Sequence, residues 1–347
     1  MMNDNYAKIN NVCLVILTGI AGTAALYYTQ SVLLPFVISI FIYSVASPSI
    51  RILQDRLKFP RVLAILAAVL VYSLVTATLI FFVTNSLDSF IRSAGAYRDR
   101  IVDFIQWGTQ MAESYGFEVE DRPLRQEIRN LPIFSWMTSL TGNAVSFMGN
   151  STLVFIFVIF LITGERQKKS DNEFFIEVQA KVSKYIITKG LVSCFTGILV
   201  GILLLVCGLE LTFMFVVLTI LFNFIPSIGS IIATLLPLPV VLLQFGFTWP
   251  FYVIVIGSSL IQFTIGNIIE PKFLGDSMDL HPVSVLMSLM FWALVWGLPG
   301  MFLAVPITAV LKIVLSRIET TRSFSELLAG RLPKNFNFNQ YSEERDS

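Results

Sequence analysis

Residues 266–282 read GNIIEPKFLGDSMDLHP, a short charged stretch with two prolines that separates two long apolar runs. The charges inside those runs are few: Lys189 and Glu210 over 185–269, and none over 283–311. A charge at membrane depth costs about 2.5 kcal/mol or more, so a chain keeps one there for function, for pairing or because it lies at the interface. Which of these three reasons applies to Glu270 decides most of the functional interpretation.

The composition is that of a multi-spanning membrane protein. Of the 347 residues, 55% are hydrophobic and 14% are charged, and the mean hydropathy is +0.75. A soluble core could not bury so much apolar surface. The net charge of +1 gives no reason to expect nucleic acid as a partner. The single histidine and three cysteines lack metal-ligand spacing, so no metal and no other cofactor is expected.

Apolar run lengths predict the spans, because a helical crossing needs about 20 apolar residues. Six runs qualify: 12–28, 32–48, 62–84, 147–163, 185–208 and 249–269. Two further apolar regions, 211–247 and 283–316, contain prolines and glycines that favour helical hairpins. The predicted fold is therefore all-α: a polytopic membrane protein with about six full spans, two broken hairpins and an extramembrane amphipathic helical segment.

The pattern divides the chain into four parts. These are three N-terminal spans over 1–84, an extracytoplasmic helical segment over 85–146, a transport core over 147–316 and a cytoplasmic tail over 317–347. Apolar residues recur at helical spacing from Leu87 to Ile105, which predicts an amphipathic helix that either continues the third span or gates a substrate path. A weaker pattern over 171–184 predicts a helix on the inner surface.

Lysine and arginine set the orientation. They are concentrated in 49–61, in 164–184 and in the tail, whereas the short loops of the opposite set, 29–31 and 246–250, carry no charge. Both termini are therefore predicted to face the cytoplasm, with 85–146 outside.

A polar stripe leads to the acid of the opening stretch. At helical spacing it comprises Ser259, Gln262, Gly266, Asn267 and Glu270. Such a stripe is typical of a pathway wall, but small and amide residues also serve helix packing. Pro271 is expected to end the helix and leave unpaired carbonyls beside Glu270, which would suit a cation or a proton. A structural salt bridge from Glu270 to Lys272 is the alternative.

The stretch Asn223-Phe224-Ile225-Pro226-Ser227-Ile228-Gly229-Ser230 is a second candidate site. Pro226 fits the first position of a helix, which would leave the amides from Ser227 to Gly229 free to bind a solute, beside the side chain of Asn223. Transporters commonly use helices broken at membrane depth in this way. The same residues also suit a simple hairpin tip.

The loop after Glu270 contains Asp276 and Asp279. Asp279 is a candidate cap for the helix that opens at 281–282, and both acids could feed ions to an inner mouth. No zinc-protease motif, nucleophile elbow or intramembrane aspartate pair is present, so an enzyme is not expected.

Four segments resemble the signature segments of the autoinducer-2 exporter family, and with the rest of the pattern the likeness extends over nearly the whole chain. They are Asn223–Pro237, Gly266–Gly275, Leu280–Pro282 and Trp296–Pro306. The resemblance implies a bacterial inner-membrane permease for small molecules. Some relatives are described as exporting autoinducer-2 and others as sodium(lithium)/proton antiporters. It also implies a homo-oligomer, such as a pentamer.

Three functional hypotheses follow for a protein that works in the lipid bilayer. The first is a carrier for a small polar solute such as autoinducer-2, with contacts from Asn223, the amides after Pro226, Gln262 and Asn267. In this hypothesis Glu270 couples movement to protons or sodium, or responds to the membrane potential. The second is a sodium(lithium)/proton antiporter that binds its ions at Glu270. The third is a membrane scaffold that transports nothing and uses its tail and outer helix as interaction surfaces.

Overall fold

The computed structural model describes residues 2–116, 152–164, 173–274 and 278–331, and over these ranges its regular structure is entirely helical. The helices are α1 (Met2–Tyr28), α2 (Gln30–Leu57), α3 (Arg61–Ser114), α4 (Thr152–Gly164), α5 (Glu173–Val206), α6 (Thr212–Asn223), α7 (Ile228–Leu235), α8 (Leu238–Phe245), α9 (Trp249–Thr264), α10 (Glu270–Leu274), α11 (Pro282–Ser316) and α12 (Arg322–Leu328). A π-helical turn, Ile265–Ile269, joins α9 to α10. The all-α prediction is confirmed for the described residues.

Among the residues that the structure describes, five helical stretches are long and apolar enough to cross a bilayer. They are Gln30–Arg56, Phe174–Val206, Ile228–Phe245, Trp249–Phe273 and Pro282–Ser316. Large apolar side chains are exposed along them, up to 82% for Leu294. Lipid tails solvate such side chains, whereas a soluble protein rarely exposes so many. The chain is therefore a multi-pass membrane protein.

A single residue, Thr29, separates α1 from α2. The Thr29 amide donates to the Ala25 carbonyl, and the Leu33 amide donates to the Thr29 carbonyl, both at 3.0 Å. These are the i to i−4 bonds of an α-helix. The connection is therefore shorter than the predicted 29–31, since α2 already begins at Gln30, and the orientation of the N-terminus stays a prediction.

Helix α3 continues far beyond the predicted span over 62–84. Its 54 residues correspond to about 80 Å at 1.5 Å per residue, whereas the hydrocarbon core is about 30 Å thick. Much of α3 therefore lies outside the hydrocarbon. Over 85–116 the interpretation as a continuation of the third span is confirmed, and 117–146 lies outside the described residues.

Helix α5 also merges two predicted elements. The surface helix over 171–184 and the span over 185–208 form one helix of 34 residues. The separation predicted between them is wrong because nothing in 173–206 breaks the backbone hydrogen bonding: the segment contains no proline, and its glycines lie within the helix.

The chain forms two compact units, each assembled from distant segments. The first contains 1–47, 151–186 and 276–347, and the second contains 48–150 and 187–275. In the first unit, the indole Nε1 of Trp296 donates to the carbonyl of Leu26 at 3.0 Å and fixes α11 against α1. In the second unit, the apolar core comprises Val200, Leu204, Cys207, Leu209, Leu211, Phe215, Val240, Val241 and Ile254.

A sharp turn joins α6 to α7 in the second unit. Ser227 has a left-handed backbone with φ +61°, and a Cβ placed on Gly229 would lie 2.6 Å from the carbonyl carbon of Phe222. Along a straight helix these two residues would be about 10 Å apart. The chain therefore turns back on itself, and only glycine leaves room for the approach.

The first unit contains a similar turn inside α11. Gly297 has non-helical angles, φ +64° and ψ −143°, and a Cβ on Gly300 would lie 2.8 Å from the carbonyl carbon of Trp292. A straight helix would separate Gly300 from Trp292 by about 12 Å. Both turns lie inside the regions for which the sequence predicts hairpins, 211–247 and 283–316.

We expect Gly229→Ala and Gly300→Ala to destabilise the protein, because each new methyl group would collide with backbone that cannot move aside. Overpacking of this kind costs about 1–3 kcal/mol or more. Thermal unfolding of the purified variants in detergent would measure the loss. Gly22→Ala is the matched control, since nothing lies within 4 Å of a Cβ at that position, and its unfolding temperature should stay unchanged or rise. Equal unfolding temperatures for all three variants would contradict the assignment of the two turns.

Candidate functional site

The acid of the opening stretch forms a buried ion pair with a lysine far away in the sequence. Nζ of Lys189, on α5, donates to Oε1 of Glu270, the first residue of α10. The Lys189 side chain is 1% exposed and the Glu270 side chain 15%. Lys272 is exposed, so the predicted salt bridge from Glu270 to Lys272 is wrong. A lysine one residue beyond Pro271 lies on another side of the helix.

The π-helical turn before Glu270 shows how the chain accommodates Pro271. The Glu270 amide donates to the carbonyl of Ile265, five residues earlier. A proline ring clashes with the carbonyl four residues before it, and a widened turn relieves this clash without ending the helix. The prediction that Pro271 ends the helix is therefore wrong, since α10 runs to Leu274.

The same turn changes which side chains share a face. In a regular α-helix, Gln262 and Glu270 would differ in direction by about 80°. A π turn accommodates one extra residue, so eight residues behave like seven and the difference falls to about 20°. Gln262 and Glu270 therefore point to the same side.

Two contacts fix the register between α5 and the α9–α10 helix. A Cβ on Gly257 would lie 2.8 Å from Cδ2 of Leu203, and Glu270 pairs with Lys189. Gly257 therefore lies opposite Leu203, and Glu270, thirteen residues later, lies opposite Lys189, fourteen residues earlier on α5. The two helices are antiparallel neighbours, and 190–202 runs beside 258–269.

Polar side chains are buried along both helices between these contacts. Ser193 and Thr196 follow Lys189 by four and seven residues, so all three lie on one face of α5. Ser258 precedes Gln262 by one turn on α9. These four residues are almost completely shielded from solvent, with exposures of 0% for Ser193 and Thr196, 2% for Ser258 and 5% for Gln262.

Helix α6 contributes one more buried polar side chain to this group. Nδ2 of Asn223 donates to Oγ1 of Thr196 at 3.2 Å, and that hydroxyl donates to the carbonyl of Val192 at 2.8 Å. The predicted candidate Asn223 is therefore buried and joins α6 to α5. We refer to the whole group as the polar cluster: Lys189, Ser193, Thr196, Asn223, Ser258, Gln262 and Glu270.

Part of the polar cluster is not satisfied by protein. Within the described ranges, no residue forms a hydrogen bond with the hydroxyl of Ser193, the hydroxyl of Ser258 or either amide atom of Gln262. Each unsatisfied buried group costs about 1–3 kcal/mol. Native proteins contain few such groups, and each calls for a reason. The polar cluster is therefore the candidate functional site.

The structure brings together only part of the predicted stripe. Gln262 and Glu270 belong to the polar cluster, and Gly266 is half-buried between them. Ser259 is exposed, and Asn267 is exposed with its Nδ2 donating to the carbonyl of Phe263 at 3.0 Å. Asn267 therefore points away from the cluster because the π turn rotates this part of the helix.

Four members of the cluster were not among the sequence candidates: Lys189, Ser193, Thr196 and Ser258. Lys189 could have been predicted from the sequence, because it is one of only two charges in its apolar run and a charge at that depth needs a partner. Its spacing from Ser193 and Thr196 is also helical. Ser258 gave no signal that separates it from Ser259.

The predicted free amides after Pro226 are largely occupied. The Ile228 amide donates to the Pro226 carbonyl at 2.6 Å, and the Gly229 amide donates to the Ile225 carbonyl at 3.1 Å. Helix α7 begins at Ile228 with Ser227 as its N-cap, so Pro226 is not the first helical residue. The prediction of free amides at Ile228 and Gly229 is wrong, because the tight turn uses them itself.

Asp279 forms a separate charged group in the first unit. Its carboxylate contacts Nζ of Lys312 on α11, and Nη2 of Arg331 donates to its Oδ1 at 3.0 Å. Burial alone would raise the pKa of the Asp279 carboxyl. The hydrogen bond and charge of Lys312, with the charges of Arg331 and Lys181, outweigh burial and hold the pKa below its ordinary value.

The helix cap after this loop is His281, not Asp279. The Nδ1 of His281 accepts from the Val283 amide at 3.3 Å, and the His281 amide donates to the carbonyl of Leu328 in α12 at 3.0 Å. The capping prediction for Asp279 is therefore wrong. Helix α12 is held to the start of α11 through Leu328, and Asp276 lies outside the described residues.

Comparisons with known proteins agree on a family of transporters. The sequence model of the AI-2E family transporter matches residues 15–320. The AI-2 transport protein TqsA of Escherichia coli K12 is 26% identical over 334 residues, which cover 92% of this chain and 96% of that relative. A protein of Haemophilus influenzae is 28% identical over 342 residues, with 94% and 98% covered. One of Borreliella burgdorferi is 34% identical over 213 residues, with 57% and 59% covered. The last two are described as candidate transport proteins, with no solute named.

We expect Lys189→Met and Glu270→Leu each to destabilise the protein by about 3–5 kcal/mol, because each leaves one charge buried without a partner. The double variant should recover most of the loss, since a buried pair can be replaced by apolar side chains at little cost. Unfolding by SDS titration in mixed micelles measures this cycle. Lys181→Met is the control, because the Lys181–Glu177 pair is exposed on both sides, at 40% each, and such pairs contribute about 1 kcal/mol or less. Additive losses in the double variant would contradict a direct pair.

We expect Asp279→Asn to be less stable than the parent at neutral pH, with the difference disappearing as the pH falls below about 4. The folded pKa is lowered from its ordinary 3.8, so the carboxylate stabilises the fold above the unfolded pKa and loses this effect as the pH falls through the folded pKa. Asparagine tolerates the left-handed backbone at this position, φ +46°, so the variant isolates the charge. Unfolding temperatures between pH 7 and pH 3 measure it, and a pH-independent difference would show that the charge is not responsible.

Proposed function

The chain belongs to the AI-2E transporter family, and on that premise we propose that it moves a small polar solute across the bacterial inner membrane. The observation that carries the proposal is the polar cluster, a line of buried polar side chains between helices long enough to cross a bilayer. From Ser258 to Glu270 the cluster extends over about 18 Å at the α-helical rise, more than half of the hydrocarbon thickness. Gln262 lies at the middle of the stretch Trp249–Phe273.

Placing the side chains of the polar cluster at membrane depth costs free energy, so their presence there calls for a functional reason. Helix packing alone could be served by glycine, alanine or serine. Lysine and glutamate cost far more in hydrocarbon and mark solute or ion pathways in membrane proteins. The retention of Lys189 and Glu270 on facing helices therefore supports a route for a hydrophilic solute.

The ion pair has a specific place in this proposal. It holds α5 against α10 at one end of the polar cluster, so a solute leaving at that end requires the pair to separate. Protonation of Glu270 would remove the attraction and allow separation, which would couple movement to protons. Lys189 and Glu270 are on two different helices, so separating them moves charge. The membrane potential acts on charge that moves across the bilayer, and it would therefore influence this separation.

The two sharp turns also support a transporter. Helices broken at depth, with the broken backbone lining a cavity, are a recurrent feature of secondary transporters. In the proposal, the regions around Gly229 and Gly300 are helical hairpins that move during transport. Pathway roles for Pro226, Ser227, Asn267, Lys272 and Asp279 stay predictions, as do the homo-oligomer and the cytoplasmic location of both termini.

Autoinducer-2 is the first solute to test, because one relative is described as an AI-2 transport protein. The antiporter alternative needs an ion site at Glu270. The described residues place Lys189 against that carboxylate, and they contain no group of three or more histidine, cysteine, aspartate or glutamate side chains that could hold a metal ion. A carrier for a polar solute therefore fits the cluster better than a cation site.

We expect proteoliposomes of the purified chain to show solute counterflow that protein-free vesicles lack. Autoinducer-2 and a panel of labelled polar solutes would be loaded and exchanged, with internal pH recorded in sodium and in potassium buffer. Counterflow without a sodium-dependent pH change supports the carrier. Sodium-driven pH change without solute would replace it with the antiporter, and neither flux above protein-free vesicles would favour the scaffold.

A further inference from the structure

The two ends of helix α11 lie beside each other, although they are far apart in the sequence. Nζ of Lys312, near the end of α11, contacts the carboxylate and the backbone carbonyl of Asp279, which precedes the start of α11. These residues are 33 positions apart, which would be about 50 Å along a straight helix. The turn at Gly297 lies about halfway between them. The two arms of α11, 282–296 and 298–316, therefore run back along each other, and Lys312 joins their ends.

Helix α12 contacts both arms at this end. The buried hydroxyl of Ser325 donates to the carbonyl of Lys312, on the second arm, at 3.1 Å. The carbonyl of Leu328 accepts from the amide of His281, at the start of the first arm, at 3.0 Å. One short helix thus connects the two arms. We refer to residues 322–331 as the clasp.

Gly330 directs the last residue of the clasp back to the first arm. Gly330 has φ +72°, and the amides of Gly330 and Arg331 donate at 2.9 Å to carbonyls of α12 three and five residues earlier. This is the pattern of a Schellman motif. A Cβ on Gly330 would lie 2.4 Å from Cδ2 of His281, so the glycine packs directly against the imidazole. The turn brings Nη2 of Arg331 to Oδ1 of Asp279 at 3.0 Å.

This last contact of the clasp is sensitive to salt. The Arg331 side chain is 69% exposed and the Asp279 side chain 41%. Water and dissolved ions screen such a pair, so it contributes little stability and contributes less as the ionic strength rises. The Ser325 hydrogen bond is buried and uncharged, and it is not weakened in this way. The clasp is therefore closed in part by an interaction that salt removes reversibly.

Resting on the proposed transport function, in which the region around Gly300 moves, we propose that the clasp opposes this movement and opens as the ionic strength rises on its side of the membrane. When it is closed, the clasp ties the ends of both arms of α11 and resists a change in their spacing. When it is open, the arms stay joined only by Lys312 and Asp279, a contact in which Lys312 is 12% exposed and therefore less screened. Transport therefore increases with ionic strength.

Two variants open the clasp by different routes. Arg331→Gln removes the charge that pairs with Asp279. Gly330→Ala changes no charge, but it places a methyl group against the His281 ring and forces alanine into a left-handed backbone. Arg322→Gln is the matched control, because it removes the same charge from the same helix. The partner of Arg322 is Glu326, one turn along α12 at 3.8 Å, and not a residue of α11.

Opening of the clasp can be followed at the amide of His281, which is bonded to Leu328 only while the clasp is closed. Hydrogen exchange of this amide would be measured by mass spectrometry with fragment resolution, together with proteoliposome counterflow, at about 0.05 M and about 0.5 M KCl on both sides. The Debye length falls from about 14 Å to about 4 Å between these conditions.

We expect both the exchange of the His281 amide and the counterflow of the parent to increase about two- to fivefold at the higher salt concentration. Arg322→Gln should behave like the parent. Arg331→Gln and Gly330→Ala should exchange and transport faster than the parent at low salt, and both should lose most of the salt response. If Gly330→Ala does not fold, Arg331→Gln and its control decide the question.

Three results would overturn the inference. Exchange of the His281 amide that responds neither to salt nor to Arg331→Gln would show that no ionic contact closes the clasp. Parental counterflow despite faster exchange would show that the clasp does not restrain transport, and slower counterflow would show that it promotes transport. A parent that moves no solute in the wider panel would instead remove the proposed function, and the exchange measurement would then test the opening of the clasp by itself.

Discussion

The Lys189–Glu270 ion pair is the interaction on which the arrangement of the second unit depends. Each charge would be prohibitive alone inside a bilayer, since isolated ions lose their hydration there. Together they fix α5 beside α10, and with the Gly257–Leu203 contact they set the antiparallel register of two long helices. The burial of Ser193, Ser258 and Gln262 follows from that register. The pair therefore determines both the packing and the chemistry of the site.

Pro271 makes this pairing possible through the backbone. A proline at this position cannot donate to the preceding turn, and the helix responds with a π turn rather than with an end. The turn rotates Glu270 onto the face of Gln262 and moves Asn267 away from it. A regular helix with the same side chains would direct Glu270 and Gln262 to different neighbours. One backbone irregularity thus decides which polar residues meet.

Much of the architecture could be predicted from composition and run length, because apolar content and proline position act locally. The helical class and the continuation of the third span beyond 84 follow from such signals. The short connection at Thr29 does not, because the three polar residues over 29–31 could occur equally well in a loop or inside a helix. At the site, Gln262 and Glu270 could be found from spacing. The partner of Glu270 could not be predicted, because an ion pair between residues 81 positions apart depends on how distant helices pack. The sequence alone does not show whether Lys189 or Lys272 is the partner.

The segment between Glu270 and Asp279 is held at both of its ends by opposite charges, each within its own unit. Glu270 is tied to Lys189 on α5, and Asp279 is tied to Lys312 on α11 and to Arg331 in the tail. The two anchors differ in strength, because the first is buried and the second is partly exposed and therefore screened by solvent and salt. A rearrangement that breaks the contacts of Asp279 with Lys312 and Arg331 therefore costs less free energy than one that breaks the buried Lys189–Glu270 pair.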